Sequence, residues 1–223
     1  MLHSKSSLKR AGAQLIIQKE KMNMIDIELF RNELAHIQNK SYRNFVHYAL
    51  VSAPTYFWEC GASSSGKYHP CFSQGEGGLV RHTKAVVRFC DELLRMSSYA
   101  YMKDEYKDFA FMACILHDVC KYGAGDEMNK DEYKEHGANA AKFVGEIWKE
   151  YFGQSTEAPF LLLNAIRSHM GQWTPEKEDR PFTQIDRLVH LSDYIASRSF
   201  IDIPEITSEY NEKVEAFTSE IPF

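Results

Sequence analysis

Residues 109–121, with the sequence FAFMACILHDVCK, decide how the rest of the chain is interpreted. Apolar residues recur here at helical spacing, and His117 continues the face that carries Phe109 and Ala113. An imidazole directed into a core must be hydrogen-bonded, ion-paired or coordinated, because burying it bare costs several kcal/mol. A single inward histidine is usually a satisfied core residue. Its meaning therefore depends on whether similar residues occur on neighbouring helices.

The same feature recurs on the predicted helices to either side. Histidine or aspartate occupies the apolar face of four further segments, and Asp118 directly follows the histidine of the first; these residues are His82, His136, His169 and Asp193. Five such residues on five helices are hard to explain as core packing. Imidazole nitrogen and carboxylate oxygen together suit Mn, Fe, Co, Ni or Zn better than Ca or Mg. An aspartate can also bridge two ions about 3.5–4 Å apart, so the sequence predicts a buried centre for divalent metal ions.

The pattern along the chain predicts an all-α fold. Helices are expected over roughly 79–96, 105–121, 133–151, 157–170 and 183–199, with an earlier helical segment from about residue 26 to 50 and a last one near 205–217. A loop over about 52–78 is rich in Ser, Gly, Pro and aromatic residues, and loops of this length are usually functional or packed over a site. We expect an N-terminal helical extension over residues 1–50 and one domain over 51–223.

Composition and charge exclude several classes of protein. The 223 residues are 44% hydrophobic and 26% charged, as in ordinary globular proteins. The formal net charge of -5 argues against an extended nucleic-acid-coating surface, although a local basic patch remains possible. No apolar run approaches a membrane span, and Leu15-Ile16-Ile17 is too short for a signal-peptide core. The five cysteines form no Cys-x-x-Cys pair. We therefore expect a cytoplasmic protein without membrane association.

The ordered set of inward residues resembles the signature of the HD superfamily. His82, then His117-Asp118, then Asp193 resemble its H…HD…D pattern, and His136 and His169 match the extra histidines of its two-metal branch. The stretch from Ala62 through Tyr68-His-Pro to Gly-Gly-Leu-x-x-His-Thr is similar to the HD module of bacterial 3′–5′ exoribonucleases and to small phage or bacterial HD proteins. The resemblance covers residues from about 54 to 200.

The resemblance implies an HD-domain helical bundle with metal-dependent phosphohydrolase activity. In that family pattern a first ion is held by His82, His117, Asp118 and Asp193, while Asp118 bridges to a second ion held by His136 and His169. A bridging water acidified by both ions would attack phosphorus. The implied substrate is a phosphomonoester or phosphodiester in a nucleotide or short single-stranded nucleic acid. The exoribonucleases carry a separate oligonucleotide-binding domain ahead of this module, whereas here only about 50 residues precede the match.

Lys121 and Asp118 are the predicted catalytic residues. Lys121 matches the lysine that often follows the HD pair in the superfamily, and it could steady a phosphate oxygen or the nucleophilic water. The alternative is an ion pair with Asp118 at i,i+3 spacing, typically worth about 0.2–0.5 kcal/mol. We favour the functional interpretation because metal should occupy Asp118.

Residues predicted to bind substrate lie on both sides of the ligands in the sequence. Lys67, Tyr68 and His69 precede the first ligand in the long loop and could cover the site or contact a base or sugar. Arg81, like Lys84, flanks His82 and could bind phosphate at the rim, but a solvated face explains both equally well. Trp173 follows His169 and could stack on a nucleobase, or it could simply anchor its loop by packing.

Two other functions remain possible at this stage. The first is a nucleotide-binding or regulatory module that has the HD fold without turnover, although such proteins typically lose ligands and none is missing here. The second is an interaction domain with a closed structural metal site. The sequence indicates neither which substrate or ion is used nor the oligomeric state.

Overall fold

Helices carry the whole fold of the part that the computed structural model describes, namely residues 28–63, 69–174 and 176–219, in which no β-strand occurs. This confirms the all-α prediction. The expected segment before residue 28 lies outside the described residues. The α-helices of the described part are α1 (Arg31–Ala35), α2 (Lys40–Val51), α3 (Thr55–Glu59), α4 (Gly78–Leu94), α5 (Asp104–Leu116), α6 (His136–Phe152), α7 (Phe160–Ser168), α8 (Gln184–Ala196) and α9 (Pro204–Ser219).

Helix α5 is the centre of the bundle. Its residues from Asp108 to Leu116 are all buried, as expected of a helix that is apolar on every side. Helices α4, α7 and α8 pack around it, α8 also packs on α4 and on α7, α6 packs on α7, and α2 covers α5 and α6. The one carboxylate in this buried run, Asp108, accepts hydrogen bonds from the backbone N–H groups of Gln38 and Asn39 at 2.7 and 2.9 Å. It thereby joins the start of α2 to the core.

Helices α5 and α7 end just before a predicted ligand, and α6 begins at one. These bounds differ from those expected from the sequence. Helix α5 ends at Leu116 rather than near residue 121, and His136 is the first residue of α6. The turn after α5 is held from outside, because the Tyr56 hydroxyl accepts a hydrogen bond from Tyr122 N at 3.0 Å and donates one to Gly123 O at 2.5 Å. Gly123 adopts a φ of 96° there. The HD pair therefore lies in the turn that directly follows α5, in which His117 still has helical backbone angles.

The described part of the chain contains no helix with both the length and the apolar content needed to span a bilayer.

Gly137 allows α6 to begin close to the end of α7. A Cβ at this position would lie 2.6 Å from the carbonyl oxygen of Arg167. We expect Gly137→Ala to lower the free energy of unfolding by about 1–3 kcal/mol, because backbone rather than a flexible side chain must move. Denaturant unfolding would measure the loss.

A matched control for this change lies on the same helix. A Cβ at Gly145 would meet only Leu163 Cδ1 at 3.6 Å, an ordinary contact. Gly145→Ala should raise stability by about 0.5–1 kcal/mol through its higher helix propensity. Equal effects of the two substitutions would contradict the close-approach explanation.

Candidate metal centre

Five helices bring the six predicted metal ligands into one buried cluster. Helix α4 provides the first, the turn after α5 the next two, the start of α6 and the end of α7 one each, and α8 the last: His82, His117, Asp118, His136, His169 and Asp193. All are buried except Asp193, whose side chain is 20% exposed. The ligand atoms of His82, His117 and Asp118 lie within 4.8 Å of one another, and so do those of Asp118, His136 and His169.

Asp193 completes the first of these two groups. Its Oδ1 atom lies 3.0 Å from His82 Nε2 and 3.8 Å from His117 Nε2. Asp118 faces the same group with Oδ2, which is 3.6 Å from His117 Nε2. Two imidazoles and two carboxylates thus converge, a donor set that suits a first-row divalent ion.

The second group shares Asp118 with the first. Its other oxygen, Oδ1, lies 3.1 Å from His136 Nε2 and 3.6 Å from His169 Nε2. The two Nε2 atoms are themselves 3.0 Å apart. Asp118 therefore stands between two sets of nitrogen donors and directs one oxygen toward each.

Three of the histidines are oriented by the same hydrogen bond. In each, Nδ1 lies 2.7–2.8 Å from the backbone carbonyl three residues earlier, in the pairs His117–Cys114, His136–Tyr133 and His169–Ile166. A carbonyl only accepts, so Nδ1 carries the proton and donates. In the neutral ring Nε2 is then the unprotonated nitrogen, and it points into the cluster.

Three buried polar atoms in the cluster have no hydrogen-bond partner among the described residues. These atoms are His82 Nδ1, His117 Nε2 and Asp118 Oδ1. A buried polar atom without a partner is destabilising, and such atoms in native structures call for an explanation such as an ion. His117 Nε2 and Asp118 Oδ1 are lone-pair donors, one in each ligand group. The residues present therefore fit divalent cations.

The ionisation of His117, Asp118 and Asp193 also favours metal binding. Burial lowers the pKa of His117 to about 4, so its ring is neutral near pH 7. Burial alone would raise the pKa of Asp118, but the charge of Lys121 and the neighbouring His117 outweigh it and hold this pKa well below the usual value. Asp193 is kept ionised in the same way, since its hydrogen bond to His82 and the nearby imidazoles overcome burial and lower its pKa. Neutral imidazole and ionised carboxylate are the forms that coordinate ions.

A cavity of about 500 Å³ opens beside the cluster. It exposes Asp118, His136, His169 and Asp193, and its wall includes His69, Lys121, Tyr133, Trp173, Tyr194 and Arg198. A volume of this size is typical of sites for one small ligand.

Three of the residues predicted around the ligands reach this cavity. Lys121 is buried, and its Nζ lies 2.5 Å from Asp118 Oδ2. It therefore forms the ion pair with Asp118 and also lines the cavity. His69 lies against the ring of His82, and burial lowers its pKa to about 3, which keeps it neutral. Trp173 is 51% exposed. Lys67 and Tyr68, predicted to bind substrate, lie outside the described residues.

Arg81 and Lys84 do not line this cavity. Arg81 is buried and donates to the carbonyl oxygens of Phe72 at 2.5 Å and Gln74 at 2.9 Å, which holds the loop before α4. Lys84 is buried on another side of α4, with Nζ 2.6 Å from Glu33 Oε1. These contacts give both side chains structural roles.

Sequence reasoning missed five residues of the cavity wall, of which Met170 and Ser197 are two and the other three carry aromatic or charged side chains. Tyr194 and Arg198 follow Asp193 at one and five positions, and Tyr133 precedes His136 by three. The spacing of Tyr194 and Arg198, one helical turn apart, was an available signal. It could not reveal that they share a cavity with Trp173.

Comparison with known proteins adds one finding. A family model described as "HD domain" matches residues 79–198, which is more than half of the chain and contains all six clustered residues. No curated protein and no solved structure matched.

Proposed function

The chain belongs to the HD-domain family, and from that premise we propose that it is a metal-dependent phosphohydrolase that cleaves a phosphomonoester or phosphodiester in a nucleotide or short nucleic acid. The observation that carries the proposal is the position of Asp118, with one carboxylate oxygen toward each group of imidazoles at the wall of a ligand-sized cavity. A closed structural metal site would have no such opening beside the ligands.

Each residue of the cluster has a part in the proposed chemistry. His82, His117, Asp118 and Asp193 would hold one ion, and Asp118, His136 and His169 a second. Bound ions would supply a water of lowered pKa and neutralise charge on the phosphate. Lys121 stays protonated, because although burial lowers its pKa, the contact with Asp118 more than compensates and raises it. Its ammonium group is therefore available at the cavity to hydrogen-bond a phosphate oxygen.

The substrate is proposed to be a mononucleotide or the end of a short strand. The cavity volume of about 500 Å³ suits one nucleotide better than a long duplex. The net charge of -5 does not favour binding of a long polyanion. The similarity of the loop and first ligand to bacterial 3′–5′ exoribonucleases supports a nucleotide at the end of a strand.

The activity itself can be tested directly. Protein loaded separately with Mn, Fe, Co, Ni or Zn should hydrolyse at least one member of a panel containing nitrophenyl phosphates, nucleotides, cyclic nucleotides and short RNA. A chelator should abolish the reaction. Turnover of none of these by the loaded protein, combined with tight nucleotide binding, would instead favour a regulatory module.

His136→Ala should separate the two proposed ions. His136 belongs to the second group of donors, and its Nε2 lies 3.1 Å from Asp118 Oδ1 and 3.0 Å from His169 Nε2. We expect the purified variant to retain one ion per chain where the unmodified protein retains two, as counted by elemental analysis. His47 lies in α2, away from the cluster, and His47→Ala should leave the number of ions per chain unchanged. Two retained ions in His136→Ala would contradict the assignment.

A further inference from the structure

Three side chains contact one another in series along one wall of the cavity. The guanidinium of Arg198 lies over the ring of Tyr194, with Cζ 4.3 Å from the ring centroid. The Tyr194 ring lies nearly parallel to the indole of Trp173, at a centroid distance of 5.8 Å and an interplanar angle of 11°. Helix α8 thus supplies Tyr194, the segment just after its end supplies Arg198, and the loop after His169 supplies Trp173. All three line the cavity that contains the metal-ligand cluster.

Among the described lining residues, Arg198 is the cation that has no carboxylate partner in the described part of the chain. Of the two cationic side chains in the described lining, Lys121 is paired with Asp118, whereas no ion pair joins Arg198 to any described residue. Its Nε donates to Tyr194 O at 3.1 Å and its Nη2 to Ser197 Oγ at 2.8 Å. These bonds hold the guanidinium beside the last turn of α8, which contains Asp193. They leave Nη1 available to an anion.

Helix capping explains only part of this arrangement. An arginine near the end of a helix often hydrogen-bonds the last carbonyls and interacts favourably with the helix dipole. That role accounts for the bond to Tyr194 O. It does not account for a charged group placed in the same cavity as two carboxylates and two imidazoles of a phosphate-cleaving centre.

Trp173 offers a flat apolar surface beside this charge. It is 51% exposed although it already stacks on Tyr194. The ring centroid of His190 lies 6.4 Å from that of the indole. His190 also donates from Nδ1 to His169 O at 2.7 Å, so it connects the Trp173 loop to the metal cluster. The indole is therefore held in place before any ligand arrives. Ring stacking of this kind is worth about 1–3 kcal/mol per base and tolerates different bases.

We infer that this wall recognises a nucleoside monophosphate, or the terminal nucleotide of a strand, with Arg198 binding its phosphate and Trp173 stacking on its base. Tyr194 positions both groups. The inference rests on the proposed function for the location of the phosphate beside the metal ligands. It assigns the recognition of the nucleotide already proposed to Arg198 and Trp173, and it predicts that sugar phosphates and inorganic polyphosphate are not preferred substrates.

The test measures binding, so that it does not depend on turnover. Titration calorimetry of the metal-loaded protein would use AMP, ribose 5-phosphate and adenosine as probes. We expect AMP to bind tighter than ribose 5-phosphate by about 5- to 100-fold, the range implied by one stacked base. Trp173→Ala should remove most of that difference. Arg198→Met should weaken AMP and ribose 5-phosphate alike by about 10- to 100-fold, as expected for a lost charge-assisted hydrogen bond, while adenosine binding stays the same.

Matched controls come from exposed residues away from the cavity. Arg187→Met, at an exposed position on α8, and Tyr101→Ala, whose side chain is 97% exposed, should leave all three affinities unchanged. Arg198→Lys should restore part of the phosphate affinity because the charge returns. Equal affinities of the unmodified protein for AMP and ribose 5-phosphate, undetectable binding of every probe, or unchanged affinities in Arg198→Met and Trp173→Ala would each overturn the inference. Absence of hydrolysis with these binding effects present would count against the proposed function alone.

Discussion

Asp118→Ala is expected to remove both metal ions and to lower phosphate-ester hydrolysis by at least about 1000-fold, because its two carboxylate oxygens serve both groups of donors. No other residue of the cluster lies between the two groups. Elemental analysis of the purified variant and an assay on the best substrate of the panel would measure the two losses.

The control for this variant concerns Lys121, which is buried against Asp118. Removing the carboxylate alone leaves the ammonium group without its partner, and an unpaired buried charge is strongly destabilising. The double substitution Asp118→Ala/Lys121→Met should therefore unfold at a higher denaturant concentration than Asp118→Ala while binding no more metal. If Asp118→Ala kept both ions and full turnover, the assignment of the centre would be wrong.

Lys84→Met is expected to lower the free energy of unfolding by about 3–5 kcal/mol, the usual cost of breaking a buried pair from one side. The side chain of Lys84 is 1% exposed, and its Nζ contacts Glu33 Oε1 at 2.6 Å and Leu29 O at 2.8 Å. Without it, Glu33 remains buried as an uncompensated charge. Metal content should not change. Chemical denaturation and elemental analysis would test the two statements.

Two comparisons make this prediction specific. Arg88→Met breaks a surface pair with Glu92 whose side chains are 46% and 51% exposed, and it should cost at most about 0.5 kcal/mol. Glu33→Gln/Lys84→Met removes both buried charges and should recover much of the stability. A loss in Lys84→Met no larger than in Arg88→Met would contradict the buried-pair explanation.

Helical periodicity indicated five of the six clustered residues, and Asp118 was added by its position beside His117 and by the family resemblance. Periodicity says little about the neighbours of these residues in the sequence. His82 was placed correctly on a buried face of α4. Arg81 and Lys84 were expected at the rim because they lie one and two positions away, yet each residue turns about 100° around a helix. The two side chains therefore point to different sides of α4, where Arg81 donates to Phe72 O and Lys84 donates to Glu33 Oε1.

The bounds of α5 and the cavity wall depend on contacts between distant segments. The turn after Leu116 is held by Tyr56, which lies in a stretch that was expected to be loop. Trp173 reaches Tyr194 from another element, so neither residue alone indicates the stack. Such pairings leave no local pattern in a single sequence.

The carbonyl contacts of His117, His136 and His169 have a consequence for selectivity among ions. Folding of the bundle selects one tautomer and one ring orientation at three ligands before any ion is present. Little conformational entropy is then lost when an ion binds, and little rearrangement separates the empty from the filled state. Preference among Mn, Fe, Co, Ni and Zn would accordingly follow the intrinsic affinity of each ion for nitrogen and oxygen donors and its supply in the cell, rather than the ability of the protein to adapt.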